Sequence, residues 1–524
     1  MNLENLARTQ APPGRVLVIG LDMGDGALIR HWVRAGRLPH FAALAASGVW
    51  LELDSPAQVL HTSTWPTFAT GMSPGRHGVY YPYQPRPGHQ LAQHVESSQY
   101  GADTFWTLAS SRGRRALVYD VPETFPDRTF QGCGIFDWGT WAWYGAPASQ
   151  PAALLKEIQS RFGRYPLGYE AKRLAFGRPV DIEARLVRSV RYKVATARWL
   201  LDRDEWDLAV IGLCETHPGG HYLWPHGVNG AGAADDALFE PLYHVYAAID
   251  EAIGVLRASV DPADTLIAVS GDGVRPNRCG WHLLPEILAR LGFSASGGTP
   301  SGDRQGRPSL IGRAHGLIPQ SAKQLVSASL PWRLRDRLGV WLQMRSADWS
   351  RTSAFTLPTD LEGCIRLNVS GREPHGIVEP GAQYRDVCEE IKARLLELEN
   401  PATGESVVRN VWVRNEVFPG PRQEQLPDLI VTWNDTAPIE AAASRRLGLV
   451  EGVNSDPRPG THSTSGFAVA AGAGIPGGIE DRGHLAGVAA AVLARLGIRD
   501  VMSLESSPIR PLASAPVAPG AESC

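Results

Sequence analysis

The chain has 524 residues, 43% of them apolar and 20% charged, with 51 Lys and Arg against 54 Asp and Glu. That composition excludes disorder along the whole chain and offers roughly three domains' worth of length, or one α/β core with insertions. The net charge of −3 also argues against a chain built to grip a nucleic-acid backbone, so no stable nucleic-acid complex is expected.

Residues 1–14 hold no apolar run of the signal-peptide kind, and no stretch reaches about 18 uninterrupted apolar residues, so a cytoplasmic protein without a membrane span is expected. Cys133, Cys214, Cys279, Cys364, Cys388 and Cys524 lie far apart, as suits reduced thiols. In chain order, apolar, often β-branched runs at Val16–Leu21, Ala116–Tyr119, Leu208–Leu213, Thr265–Ser270, 429–432 and 467–471 end in polar or glycine-rich turns and predict buried strands. Amphipathic helices are predicted between them at 152–162, 185–202, 241–258 and 384–399. The alternation predicts an α/β fold whose mainly parallel central sheet is flanked by helices, with functional groups at the carboxyl ends of the strands. Residues 12–276 read as the first part of this core and 352–505 as the second. Residues 277–351, rich in Gly, Pro, Ser and Arg, read as a cap or insertion, and 506–524 as a disordered tail. Within the insertion, Arg333, Arg335 and Arg337 either face an anionic substrate or line a solvated helix.

Five places along the chain can carry chemistry. Asp22 follows the first strand, where it is a turn or cap residue or a hard ligand for a divalent cation. Thr64, two residues before Pro66, is expected to cap a helix, and a hydroxyl at a helix start can also serve as a nucleophile. His217 and His221 follow a strand four residues apart, so a helix would turn both imidazoles toward one cation. Gly219 and Gly220 leave a loop open as the alternative. Asp272, between two glycines, and His462 each offer one further ligand or an ordinary structural residue. Trp138, Trp141, Trp143, Tyr144, Trp224 and Trp281 near these loops form a stacking surface or simply pack.

Taken together, Asp22, Thr64-Trp65-Pro66 with Thr70-Gly71 through His77-Gly78, His217/His221, Gly271-Asp272-Gly273 and Gly460-Thr461-His462 form a series that resembles the type I phosphodiesterase/nucleotide pyrophosphatase family of the alkaline phosphatase superfamily. The resemblance runs over about 16–498 and extends to Ile365 through Asn368, Gly371 through Pro374 and Leu426 through Val431. It implies a three-layer alkaline-phosphatase-like core, a pair of divalent metals, usually zinc, and a threonine nucleophile that forms a covalent phospho-enzyme. Asp22 and Thr64 then fall on the nucleophile-side metal, and His221 and His462 on the other. Two departures change the ligand set: His217 stands where the family has an Asp, and Gly271-Asp272-Gly273 where it has Asp-His-Gly. His217, His221 and His462 suit zinc with an open fourth position, whereas Asp22, Thr64 and Asp272 leave an oxygen-rich second site better suited to Mg²⁺ or Mn²⁺. Glu215 is a further acid that can compensate there.

The expected function is metal-dependent hydrolysis of a phosphodiester or pyrophosphate bond in a small phosphorylated substrate through a phosphothreonine intermediate. A phosphoryl-type transferase on the same site, or a non-catalytic relative that binds an anion or a partner, stands as the alternative. A sulfatase is disfavoured because Thr64 holds the nucleophile position and Phe68 stands where an Arg is wanted. Arg366, Asn368 and Arg372 either pair with phosphate or hold the second half of the fold together.

Overall fold

The computed structural model describes residues 14–86, 88–95, 100–125, 127, 129–139, 147–167, 177–228, 236–295, 347–452, 454, 456, 458–499 and 504–513. Its main sheet has nine strands in the order Ile479–His484, Val49–Asp54, Gly466–Ala471, Thr265–Ser270, Val16–Leu21, Leu208–Leu213, Ala116–Tyr119, Cys133–Phe136 and Ala148–Gln150. Only Gly466–Ala471 and Ala148–Gln150 run antiparallel to their neighbours. The runs are apolar throughout because both faces are covered. Leu17, Ile19 and Leu21 pack with helices Gly26–Arg34, Pro39–Ser47, Pro179–Leu201 and Asp236–Arg257. Val16 and Val18 pack on the opposite side with Thr64–Thr70, Phe105–Ser111 and Ala486–Arg495. The fold is thus α/β in three layers.

A second sheet departs from the expected plan. Strands Ala354–Thr356, Gly363–Leu367, Leu429–Trp433 and Val408–Val413 pair antiparallel in their own four-stranded sheet, with helix Ala382–Leu396 in the same core. The run at 429–432 is therefore a strand, but of this sheet, since apolar character alone does not say which sheet a strand joins. The expected second part of the core, 352–505, divides between the two sheets. Only from Gly460 onward do strands return to the site's edge and the main sheet. Of the expected insertion, 296–346 lie outside the described residues, Arg333, Arg335 and Arg337 among them. The expected disordered tail has a packed beginning: Ile509 and Leu512 are buried against the second face of the main sheet, while 514–524 lie outside the described residues.

Helix starts also differ from the pattern. Pro179 opens Pro179–Leu201, where its missing N–H is no loss, earlier than the apolar period alone indicates. Pro241 lies inside Asp236–Arg257 rather than at its start. Cys133, Cys214, Cys279, Cys364 and Cys388 are free thiols, and no described helix is long and apolar enough to cross a membrane.

Candidate active site

The candidate residues gather at the carboxyl edge of the main sheet. Asp22 directly follows Val16–Leu21, and Asp272 comes one residue after Thr265–Ser270. His217 and His221 lie on helix Thr216–Leu223 after Leu208–Leu213, so the helical alternative holds and their Nε2 atoms come within 2.9 Å. His462 lies on Gly460–Ser463, which pairs antiparallel with Gly273–Pro276 and places His462 opposite Val274. Gly460 permits the helix to approach this strand, because a Cβ there would run into the carbonyl of Gly220. The result is one group: the ligand atoms of His217, His221 and His462 all lie within 4.8 Å of one another.

Hydrogen bonds show which nitrogens this group leaves for a ligand. A carbonyl only accepts, so His221 Nδ1, 2.9 Å from Gly460 O, carries the proton and Nε2 carries the lone pair. His462 Nδ1 lies 2.6 Å from Asp272 Oδ2, and His217 Nδ1 lies 3.1 Å from Asp22 Oδ2. Each ring thus has an oxygen on its Nδ1 side, and the Nε2 atoms of His217 and His221 face each other, as in the carboxylate–histidine arrangement that orients metal ligands. Two imidazole nitrogens 2.9 Å apart need a proton or a cation between them. Burial pushes the His221 ring well below its ordinary pKa, helped by Arg458 and the neighbouring imidazoles, and burial does the same to His462 beside His61 and His217. Neutral imidazoles are what a divalent cation requires. The donor set fits a metal.

The two aspartates sit beside these rings rather than forming a second group. Asp22 accepts the Trp65 indole N–H at 2.8 Å on Oδ1 and faces His217 with Oδ2. Burial would raise this carboxyl, but His217 and the Trp65 N–H hold it below its ordinary value. Asp272 turns Oδ2 to His462, and burial followed by the charge of Asp22 pushes its carboxyl up to about 8. Among the described residues, the three imidazoles are the only set of three or more ligand atoms within that span of one another.

Thr64 differs from its expected place. It is the first residue of helix Thr64–Thr70, with Ser63 in the cap position, and its hydroxyl donates to His61 O at 2.5 Å. Its methyl faces Gly271, where a Cβ would collide with Thr64 Cγ2. The space that a side chain at 271 would need is filled by the nucleophile candidate itself. Glu215 has its Oε1 engaged away from the imidazoles: it accepts from Tyr165 at 2.7 Å and Ser189 at 2.6 Å, with Lys193 Nζ 3.9 Å away. Trp138 and Trp224 are buried among core aromatics, and Trp141, Trp143 and Tyr144 lie outside the described residues. Arg366, Asn368 and Arg372 bond within the second sheet's loops, which is the structural alternative for these three.

The structure adds residues that the sequence reading did not name. His61 packs against His462 with ring centroids 4.4 Å apart, and Glu362 takes both its backbone N–H at 2.9 Å and its Nδ1 at 2.8 Å. Burial opposes a charge on His61, but Glu362 and Asp360 lift its pKa to about 9. Asp360 lies 3.5 Å from His61 Nε2 and 3.1 Å from Arg458 Nη1. Glu123, at the same sheet edge, is buried, and that burial with the charges of Asp22, Asp272 and Asp360 raises its carboxyl well above the usual range. No local signal marks these residues except the nearness of His61 to Thr64.

Comparison with known proteins places the chain. Among solved structures, murine ectonucleotide pyrophosphatase/phosphodiesterase 5 is 11% identical over 92% of this chain and 95% of that one, with a TM-score of 0.48. Phosphonoacetate hydrolase from Sinorhizobium meliloti 1021, in complex with phosphonoformate, is 12% identical over 88% and 90%, also with a TM-score of 0.48. No curated protein matches the chain by sequence. The type I phosphodiesterase / nucleotide pyrophosphatase family matches residues 16–452, and the chain belongs to that family.

Proposed function

We propose that the chain is a metal-dependent hydrolase of phosphate esters, acting on a phosphodiester or pyrophosphate bond of a small substrate through Thr64. The observation that carries this reading is the set of three clustered imidazoles, each with an oxygen beside its Nδ1, in a chain of this family. His217, His221 and His462 would hold a zinc ion, and Asp22 with Thr64 would offer oxygen ligands to a second ion such as Mg²⁺ or Mn²⁺. A bound divalent cation supplies charge neutralisation at the phosphoryl oxygens and makes an alcohol or water more acidic.

The remaining work falls to the chain's own groups. The His61 carbonyl holds the Thr64 proton, so the lone pairs of Oγ1 are left to face phosphorus. Attack forms the Oγ1–P bond as the P–O bond to the leaving group breaks, with the Thr64 proton ending on the leaving-group oxygen; water then attacks phosphorus and returns a proton to Oγ1 as the Oγ1–P bond breaks. Trp65 fixes Asp22, and Asp272 fixes the His462 ring, so the ligand geometry is set before substrate arrives.

A second reading, an anion-binding relative without catalysis, draws on Gly271, which offers no ligand beside Thr64. Assays of wild type and Thr64→Ala on bis-p-nitrophenyl phosphate and p-nitrophenyl phosphate separate the two. Catalysis through Thr64 predicts a loss of about three orders of magnitude or more in the variant, with the diester the better substrate. Equal rates in wild type and variant on both esters would leave the binding reading.

A further inference from the structure

Arg458 approaches the three-imidazole group from the segment that leads into Gly460–Ser463, with its side chain only 12% exposed. Its Nε lies 2.7 and 2.8 Å from the two oxygens of Asp456, and its Nη2 lies 2.7 Å from Oδ2 of the same residue. Its Nη1 donates to Asp360 Oδ2 at 3.1 Å and stands 3.3 Å from His221 Nε2. Asp456 and Asp360 therefore hold the planar fork in place, and the second N–H of Nη1 is directed at a ligand nitrogen. That contact is informative. His221 Nε2 is the lone-pair nitrogen of its ring, and a lone pair given to a cation no longer accepts a hydrogen bond. The guanidinium stays charged at any working pH, so its N–H then needs a new acceptor beside the imidazoles.

We propose that Arg458 binds the anionic part of the substrate, its Nη1 donating to a non-bridging oxygen of a phosphoryl group held at the His217/His221/His462 centre. This rests on reading that centre as a metal site. An oxygen of the bound anion is the acceptor such a substrate brings to a largely buried N–H. The role of Arg458 is substrate binding, and its fixed fork gives direction as well as charge.

This arrangement has a consequence that a purely structural arginine would not have. Arg458 and a cation compete for the same lone pair, whereas Arg458 and a bound phosphate support each other. Removing the guanidinium leaves zinc affinity equal or higher and lowers phosphate affinity, so the two move in opposite directions or only the second moves. Zinc affinity is read by competition with a chelating indicator, and inorganic phosphate is then titrated calorimetrically into zinc-loaded wild type, Arg458→Lys and Arg458→Met. The expected result is phosphate binding weakened about tenfold or more in Arg458→Met, with Arg458→Lys between, and zinc held at least as tightly in both. Zinc affinity that falls in step with phosphate affinity would make Arg458 a structural residue and overturn the proposal. Phosphate affinity indifferent to position 458 in zinc-loaded proteins overturns it alone, whereas wild type that binds no zinc brings down the metal reading and this one with it.

Discussion

Two buried polar clusters in this chain are built from similar residues and end differently. In the second sheet, Arg372 lies 2.8 and 2.7 Å from the two oxygens of Asp428 and 2.9 Å from both oxygens of Glu373. Asp428 also accepts the Leu367 N–H at 2.8 Å and the Tyr384 hydroxyl at 2.9 Å. Its carboxyl is fully buried, yet Arg414 and Arg372 hold it well below the usual range. At the edge of the main sheet Nδ1 of His221 and of His462 is bonded and Nδ1 of His217 lies 3.1 Å from Asp22 Oδ2, but the Nε2 atoms of His217 and His221 face each other. A cluster whose polar atoms are all satisfied by the fold has a structural role; one that converges lone pairs on a common point is arranged for something added to the fold.

The comparison is broken most severely by removing a member of the closed cluster. Asp428→Ala would leave Arg372 and Arg414 buried without their carboxylate, at a cost of about 3–5 kcal/mol in urea unfolding. The rate per folded molecule should remain unchanged. A variant that unfolds at the wild-type urea concentration would show that this network does not hold the second sheet.

Asp272→Asn tests the other cluster more gently. The side chain keeps its shape but an amide replaces the carboxyl that meets His462 Nδ1 at 2.6 Å and orients the ring, so zinc affinity should fall about 10–100-fold with the urea midpoint little changed. Lost stability without lost metal affinity would move Asp272 into the closed class.

His77 gives the most specific effect, confined to one range of pH. It lies in the block that carries the family resemblance, but both its nitrogens are closed: Nε2 lies 3.1 Å from Thr67 Oγ1, and Nδ1 accepts from the Val79 N–H at 3.1 Å. Burial lowers its pKa from 6.5 to about 3. The unfolded chain therefore takes up this proton first. The contribution of His77 is complete above about pH 6.5 and declines as pH falls toward 3. Urea titrations across that range should show a shallower loss in His77→Gln than in wild type; identical slopes would mean that His77 is protonated in the folded protein.

Much of this architecture was legible in the sequence because burial on both faces of a sheet demands uninterrupted apolar strands. Val16–Leu21, Leu208–Leu213 and Thr265–Ser270 are read directly, and with them the positions of Asp22, His217 and Asp272 just past their ends. Side-chain direction is harder. The position of Asp272 does not tell that its Oδ2 meets His462 Nδ1, nor that of Thr64 that its hydroxyl donates to a carbonyl. Hardest are partners with no local pattern: His61 and Glu362 are 301 residues apart, and Arg458 meets Asp360 across 98. Neither periodicity nor spacing links such residues, because the second sheet that brings Asp360 and Glu362 to the site is itself a long-range construction.

The claim on which the rest depends is that His217, His221 and His462 share a cation. Equilibrium dialysis of wild type and His221→Ala against zinc, with metal counted per folded chain, tests it directly. Wild type is expected to bind zinc tightly, and a folded His221→Ala protein to have lost it. Wild type without zinc, or a variant that keeps as much as wild type, would contradict it.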